Sequence, residues 1–251
     1  VDNSEKEQGG LFLYEQPELM SAEQHGKLGL TPADKPYAFA SHARAVPLTL
    51  AEFASAQRNY PIVFTNLENP FPVAVVGLLE DENLFINDGV WDPACYVPAY
   101  LRCHPFSFAG EQEGRIAVVV DRKASTVTEN ARYPFFVDGK LATETESMMR
   151  FCAQYEAERL RTLNFCTQLR DLGLLASQRA MHTPDGSTEE QTLANYVSVD
   201  TQKLAELSDE AVVELHRSGR LASIYLQAYS MENWQPLMIR RDQRAKPAAV
   251  K

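Results

Sequence analysis

The order of apolar and polar positions divides the chain into a broken opening, a strand-rich middle and a largely helical second half. The opening, LFLYEQPELMSAEQHGKLGLTP, is interrupted by prolines and glycines, so it is expected to wrap a core built by later residues. Within it, SAEQ ahead of His25 has capping-box spacing and predicts one helical turn. PYAFA, from Pro36 to Ala40, has the composition of a short strand. In PLTLAEFASAQRNYP the spacing of Thr49 and Glu52 predicts a capped short helix, and Pro61 prevents its continuation past Tyr60.

Five strand-like runs follow: YPIVF, PVAVVGLL, NLFIN, AYLRCHPFSF and RIAVVVD. TNLENPF separates the first two as a turn would, NDG closes the third, and the polar AGEQEG lies between the last two. Connections this short favour antiparallel neighbours. FFVDGK predicts a turn at Asp138-Gly139. Thr143 and Glu146 again have capping-box spacing, and no Pro or Gly interrupts the chain from there to Gly173. One long amphipathic helix is predicted, with Gly173 as its C-terminal cap. LLASQRAMHTPDGS and LANYVSVD read as a strand, a TPDG turn and a return strand. Two helical segments complete the pattern, TQKLAELSDEAVVELHRSG ended by Gly219 and LASIYLQAYSMENWQ ended before Pro236.

The fold class expected is α+β: a mainly antiparallel sheet of about five or more strands, packed by one long helix, with further C-terminal helices. Residues 11–240 are expected to form a single domain between two disordered tails, residues 1–10 and the basic residues 241–251. Hydrophobic residues make up 45% of the chain, enough to bury a core. The 24 Lys and Arg are outnumbered by 34 Asp and Glu, a formal charge of -10 that argues against nucleic acid or anionic lipid as partner. No apolar run approaches the roughly 18 residues of a membrane helix, so membrane insertion is not expected. VDNSEKEQGG lacks the features of a Sec-type signal, which makes the cytoplasm the expected location. Cys95, Cys103, Cys152 and Cys166 form no C-x-x-C pair, which predicts free buried thiols in place of a zinc site or disulfide.

The common chemical signatures are missing. Neither phosphate-cradling glycine pattern occurs, and there is no G-x-S-x-G, H-x-D or H-E-x-x-H. His25, His42, His104, His182 and His216 fall on different predicted elements. His104, before Pro105, reads as a core histidine; His182 reads as a hairpin residue and His216 as a complement to a helix C-terminus. Asp81, Glu82, Asp88 and Asp92 cluster, but with the spacing of turn residues and not of a calcium loop. No catalytic residue, metal ligand or cofactor is assigned from these patterns.

The order of HGKLGL, PLTLAEFASAQRNYPIVF and GLLEDENLFINDGVWDPACYVPAYLRCHPFSF resembles the SapC family of bacterial proteins, as do VVDRKAS, FFVDGK, LLASQRAMHTPDG and LHRSGRLASIYLQAYSMENW. The resemblance spans residues 11–240. It implies an association with a bacterial surface layer in the family's name. It also implies a setting beside TonB-dependent receptors, tryptophan-halogenase-like flavoproteins and cupin-like peptide hydroxylases. An accessory role in nutrient uptake or peptide modification follows from that setting. The resemblance is not to the peptide-transporter permease that shares the name.

The stretch NLFINDGVWDPACYVPAYLRCHPFSF, Asn83 to Phe108, is the candidate site. Pro93, Pro98 and Pro105 interrupt any regular ladder there. Trp91, Tyr96, Tyr100 and Phe106 offer flat amphipathic surface, and Arg102 a planar charged fork suited to a carboxylate or phosphate. Trp91, Asp92, Tyr96, Tyr100, Arg102 and His104 compose a ligand- or partner-binding set for a protein, a peptide, or an anionic or aromatic small molecule. The alternative is that the same residues pack a crossing of the sheet. Three functions remain open: an accessory binding protein, an enzyme whose dispersed site includes Arg102, His104, Asp92 and Tyr96, and a surface-layer component exported without a signal peptide.

Overall fold

The structure is a computed structural model that describes residues 11–112, 115–182 and 191–245. The chain divides into two compact units, each gathered from separate stretches of sequence. The first takes the residues up to Ala40, Asp88–Val90 and Tyr100–Ala157; the second takes Ser41–Asn87, Trp91–Ala99 and the residues from Glu158 onward.

In the first unit, Phe106–Gln112 and Arg115–Asp121 form an antiparallel hairpin, with Pro17–Leu19 added along the outer edge of the second strand. A second sheet places Leu28–Leu30 between Val127–Glu129 and Tyr133–Pro134. Gly29 is obligatory at its centre, because a Cβ there would run into the Tyr133 carbonyl and Pro134. Phe106, Phe135, Val120, Leu28 and Cys152 form the core, and Met148, Phe151 and Tyr155 of the long helix pack against it. The FFVDGK turn forms as predicted: Phe136–Val137 pairs with Lys140–Leu141 across Asp138 (φ 51°) and Gly139 (φ 74°).

The second unit is built on a five-stranded antiparallel sheet with the spatial order Leu175–His182, Gln191–Val199, Ile62–Phe64, Pro72–Val75, Ala45–Pro47. YPIVF and PVAVVGLL therefore pair as the sequence predicts. Fully buried Phe53, Phe64, Phe165, Leu169, Leu215 and Ile224 fill the unit's interior. The capping box at Thr49 and Glu52 is present and opens a short 3-10 turn that passes into the helix Phe53–Ala56.

The long helix runs from Thr143 to Asp171. A stripe of buried and half-buried positions, Thr145, Met148, Cys152, Tyr155, Arg159, Thr162, Cys166 and Leu169, recurs at spacings of three and four, flanked by further covered residues such as Phe151 and Phe165. Polar residues occupy several of them, so the stripe is plain in burial and faint in hydrophobicity. Gly173 (φ 67°) ends the helix as predicted: its N–H donates to the Arg170 carbonyl and the Leu174 N–H to that of Leu169, the two bonds of a Schellman cap. The cap at the other end is Ala142, whose carbonyl accepts from the Glu146 N–H; Thr143 is already helical.

Several local expectations are corrected. PYAFA is not a strand: Ala38–Ala40 is a 3-10 turn closed by bonds to the Lys35 and Tyr37 carbonyls. NLFIN contributes only the two-residue strand Ile86–Asn87. AYLRC is the helix Ala99–Cys103 and only the residues from Phe106 are strand. Its first N–H, on Ala99, is taken by the buried Glu52 carboxylate, a distant cap that overrides the local strand composition. The TQKLAELSDEAVVELHRSG segment is two helices, Thr201–Ala205 and Asp209–Arg217, because Ser208 caps the second by accepting from the Ala211 N–H. Pro236 ends nothing. It sits in the first turn of the helix Trp234–Ala245, where its missing N–H has no partner to lose. That helix carries residues 241–245 out of the expected tail; residues 1–10, 246–251 and the TPDG turn lie outside the described residues. Among the described residues no helix is long and apolar enough to cross a membrane.

Candidate functional site

The six residues singled out from the sequence fall into both units. Trp91, Asp92 and Tyr96 belong to the second, and Tyr100, Arg102 and His104 to the first.

In the second unit, Trp91 is buried, stacked on Phe85 at 6.0 Å and edge-on to Tyr60 at 6.3 Å. Asp92 accepts from the Ala94 N–H at 3.0 Å and from Arg240 Nη2 at 2.7 Å. Those two donors, the backbone N–H first, hold its carboxyl below the usual carboxylate range. The Arg240 guanidinium lies 4.4 Å over the Phe85 ring and reaches Cys95 Sγ at 3.2 Å. Burial pushes the Cys95 thiol up, away from the reactive thiolate. One turn along the same helix, Arg244 donates to the Asn83 carbonyl at 2.5 Å and to that of Ile86. Tyr96 is tied three ways: its N–H to Asn59 Oδ1 at 3.0 Å, its hydroxyl to Glu52 Oε1 at 3.0 Å, and its carbonyl to the Tyr60 hydroxyl. Glu52 also receives the Thr49 N–H and hydroxyl, each at 2.8 Å, and the Ala99 N–H at 2.6 Å.

In the first unit, the Tyr100 hydroxyl donates to the Phe12 carbonyl, and its ring lies 6.5 Å from that of Tyr14 and 6.1 Å from that of Tyr155. Arg102 is exposed, its guanidinium 5.0 Å above the Phe151 ring. His104 is sandwiched, stacked on Phe39 at 3.8 Å and met edge-on by Tyr14 at 5.2 Å. Its Nε2 faces Asp121 Oδ2 at 3.5 Å, too long and poorly aligned for a hydrogen bond. Burial drives the His104 pKa down to about 4 against the attraction of Asp121, so the ring is neutral near pH 7. Asp121 accepts the N–H groups of Glu15 and Gln16, each at 2.9 Å, and of Lys123 at 3.1 Å. Burial works to raise its pKa, but these donors prevail and hold it low.

Of the turn acids, Asp81 and Asp88 adopt positive φ (56° and 48°), and Glu82 accepts from the N–H groups of Leu78 and Leu79. The residues that organise the stretch, Glu52, Asp121, Tyr14, Arg240 and Arg244, were not among the six. Only Glu52 had a local signal, the capping box. Tyr14, Arg240 and Arg244 are recruited across more than 90 residues of sequence, and Asp121 comes from the strand that follows the stretch. Chemically, the two buried carboxylates serve as acceptors for backbone ends, and His104 is a neutral base held between rings. Among the described residues no three His, Cys, Asp or Glu side chains converge as a metal site requires.

Neither a curated protein nor a solved structure matches this chain. A sequence model described as SapC matches residues 20–237, and with that span covered the chain belongs to the SapC family.

Proposed function

We propose that this SapC-family chain is an accessory binding protein that acts with a protein or peptide partner, in the nutrient-uptake or peptide-modification setting that the family implies. One observation carries the reading. Polar groups of the Asn83 to Phe108 stretch are engaged within their own units: Asp92 by Arg240, Tyr96 by Glu52 and Tyr100 by the Phe12 carbonyl. Groups spent in this way support recognition better than acid–base turnover, which needs a titratable group within reach of substrate. Arg102 is the exposed cation of the set and is assigned to partner contact.

Native mass spectrometry of the protein gently purified from its own cells tests the proposal. A second chain at fixed stoichiometry, lost on Arg102→Ala while circular dichroism is unchanged, is the expected result. A reproducible small-molecule adduct with no second chain would overturn it in favour of an enzyme. The observation behind that second reading is the buried His104 beside Asp121, a perturbed titratable pair of the kind found at catalytic sites.

A further inference from the structure

The strand Pro17–Leu19 is held to the first unit by its main chain and by Glu18, whose carboxylate lies 3.1 Å from Nε2 of the buried His25. No side chain from residue 11 to residue 20 is fully buried, and Leu19 is 60% exposed. The backbone links are dense. The Glu15 and Gln16 N–H groups go to Asp121, the Arg122 N–H to the Gln16 carbonyl at 2.9 Å, and the Met20 N–H to the Val118 carbonyl at 2.8 Å. Between them Pro17, Glu18 and Leu19 stand opposite Asp121, Val120 and Val119. Side chains add to these links: the Tyr14 hydroxyl donates to the Phe106 carbonyl at 2.7 Å, its ring lies against His104 and Tyr100, Phe12 lies against Tyr100, and Met20 packs on the core. Such contacts recognise an extended backbone, with an aromatic residue at the Tyr14 position and a few further side chains that add to the fit.

The two sides of this contact also differ in family coverage. Asp121, Phe106, His104 and the strand edge at Val118–Val120 lie inside the residues matched as SapC, whereas the segment up to Leu19 lies outside. We propose that the outer edge of the Arg115–Asp121 strand is a docking groove for an extended peptide segment of a partner protein, occupied in cis by residues 12–19 of this chain. The ligand class is a strand with an aromatic residue at the Tyr14 position and free N–H groups on the next two residues, so no proline there. Asp121 receives those two N–H groups, and strand pairing takes the rest. The cis segment, at an effective concentration on the order of millimolar, screens the groove against weak competitors. This inference rests on the accessory reading and supplies its partner class.

The test uses the full chain and a fluorescein-labelled peptide, LFLYEQPELM, which copies residues 11–20. Tyr14→Ala in the protein removes the cis anchor and should tighten peptide binding about tenfold or more over wild type, with the peptide's own Tyr→Ala version failing to bind. A Tyr14→Ala chain with wild-type circular dichroism and no gain in binding overturns the proposal. Amide hydrogen exchange on the wild-type chain decides the matter if that variant does not fold. The Glu15, Gln16 and Met20 amides should exchange at least about tenfold faster than those of the Phe106–Val120 ladder, because the segment opens locally. Equal protection overturns the groove. A partner that co-purifies without altering exchange of these amides also overturns it, while leaving the accessory reading intact.

Discussion

Glu52 shows how one side chain can decide the course of several segments. Its carboxylate receives four donors, two from Thr49 and one each from Tyr96 and Ala99, at a site only 5% exposed. Glu52→Gln keeps the shape but turns an amide NH2 toward N–H and O–H donors. It should cost about 2–3 kcal/mol in urea denaturation, whereas Tyr96→Phe, which removes one donor, should cost about 1 kcal/mol. An equal effect of the two would show that the charge is not the organising feature. His104 makes a second residue-scale prediction. Its pKa is about 4 in the folded chain and near 6.5 when unfolded, so between those values the unfolded state binds the extra proton. Stability is therefore complete above pH 6.5 and falls as the pH drops toward 4, by about 3 kcal/mol at most. Asp121, with a lowered pKa, withdraws further stability below that window. His104→Phe keeps the stack on Phe39 and should flatten the loss between pH 7.5 and 5 in urea midpoints. An unchanged slope would assign the pH dependence to other groups.

Elements whose determinants are adjacent in sequence were legible before the structure, and those with remote determinants were not. The Asp138-Gly139 hairpin, the Gly173 cap and the Thr49–Glu52 turn carry their instructions within a few residues. AYLRC has strand composition and is helical because Glu52, 47 residues earlier, caps Ala99. The site was legible only as a crowded stretch. Asp92 finds its partner 148 residues on, at Arg240, and no pattern near either residue marks the pair. The five-stranded sheet has a similar hidden dependence. Gln191–Val199 and Ile62–Phe64 share only the Val197 to Phe64 pairing. Fully buried Gln227, from the helix Arg220–Ser230, joins them by donating to the Ile62 carbonyl at 2.8 Å and accepting from the Val199 N–H at 3.2 Å. Gln227→Leu would strand both backbone groups away from water and should cost about 2–4 kcal/mol by chemical denaturation. A neutral result would show that the strands hold together without the amide.

At the scale of the whole molecule, the cysteines provide a means of examining each compact unit by itself. All four are free and buried, as expected from their spacing. Cys103 and Cys152 lie in the first unit, where the Cys152 thiol is directed at the Cys103 carbonyl at 3.8 Å; Cys95 and Cys166 lie in the second. Burial pushes Cys166 up to about 12, and Cys95 is raised as well, so neither offers thiolate near pH 7. Alkylation by iodoacetamide in native buffer should therefore be slow at every site, and labelling should report unfolding instead of surface reactivity. With rising urea, Cys103 and Cys152 should become labelled together, and so should Cys95 and Cys166, because each pair lies in one compact unit. Peptide mapping of the labelled protein reads all four sites in one experiment. Native labelling of Cys166 would show that its core position is open to solvent. A pair that splits, with one partner exposed well before the other, would show that its unit is not one cooperative body.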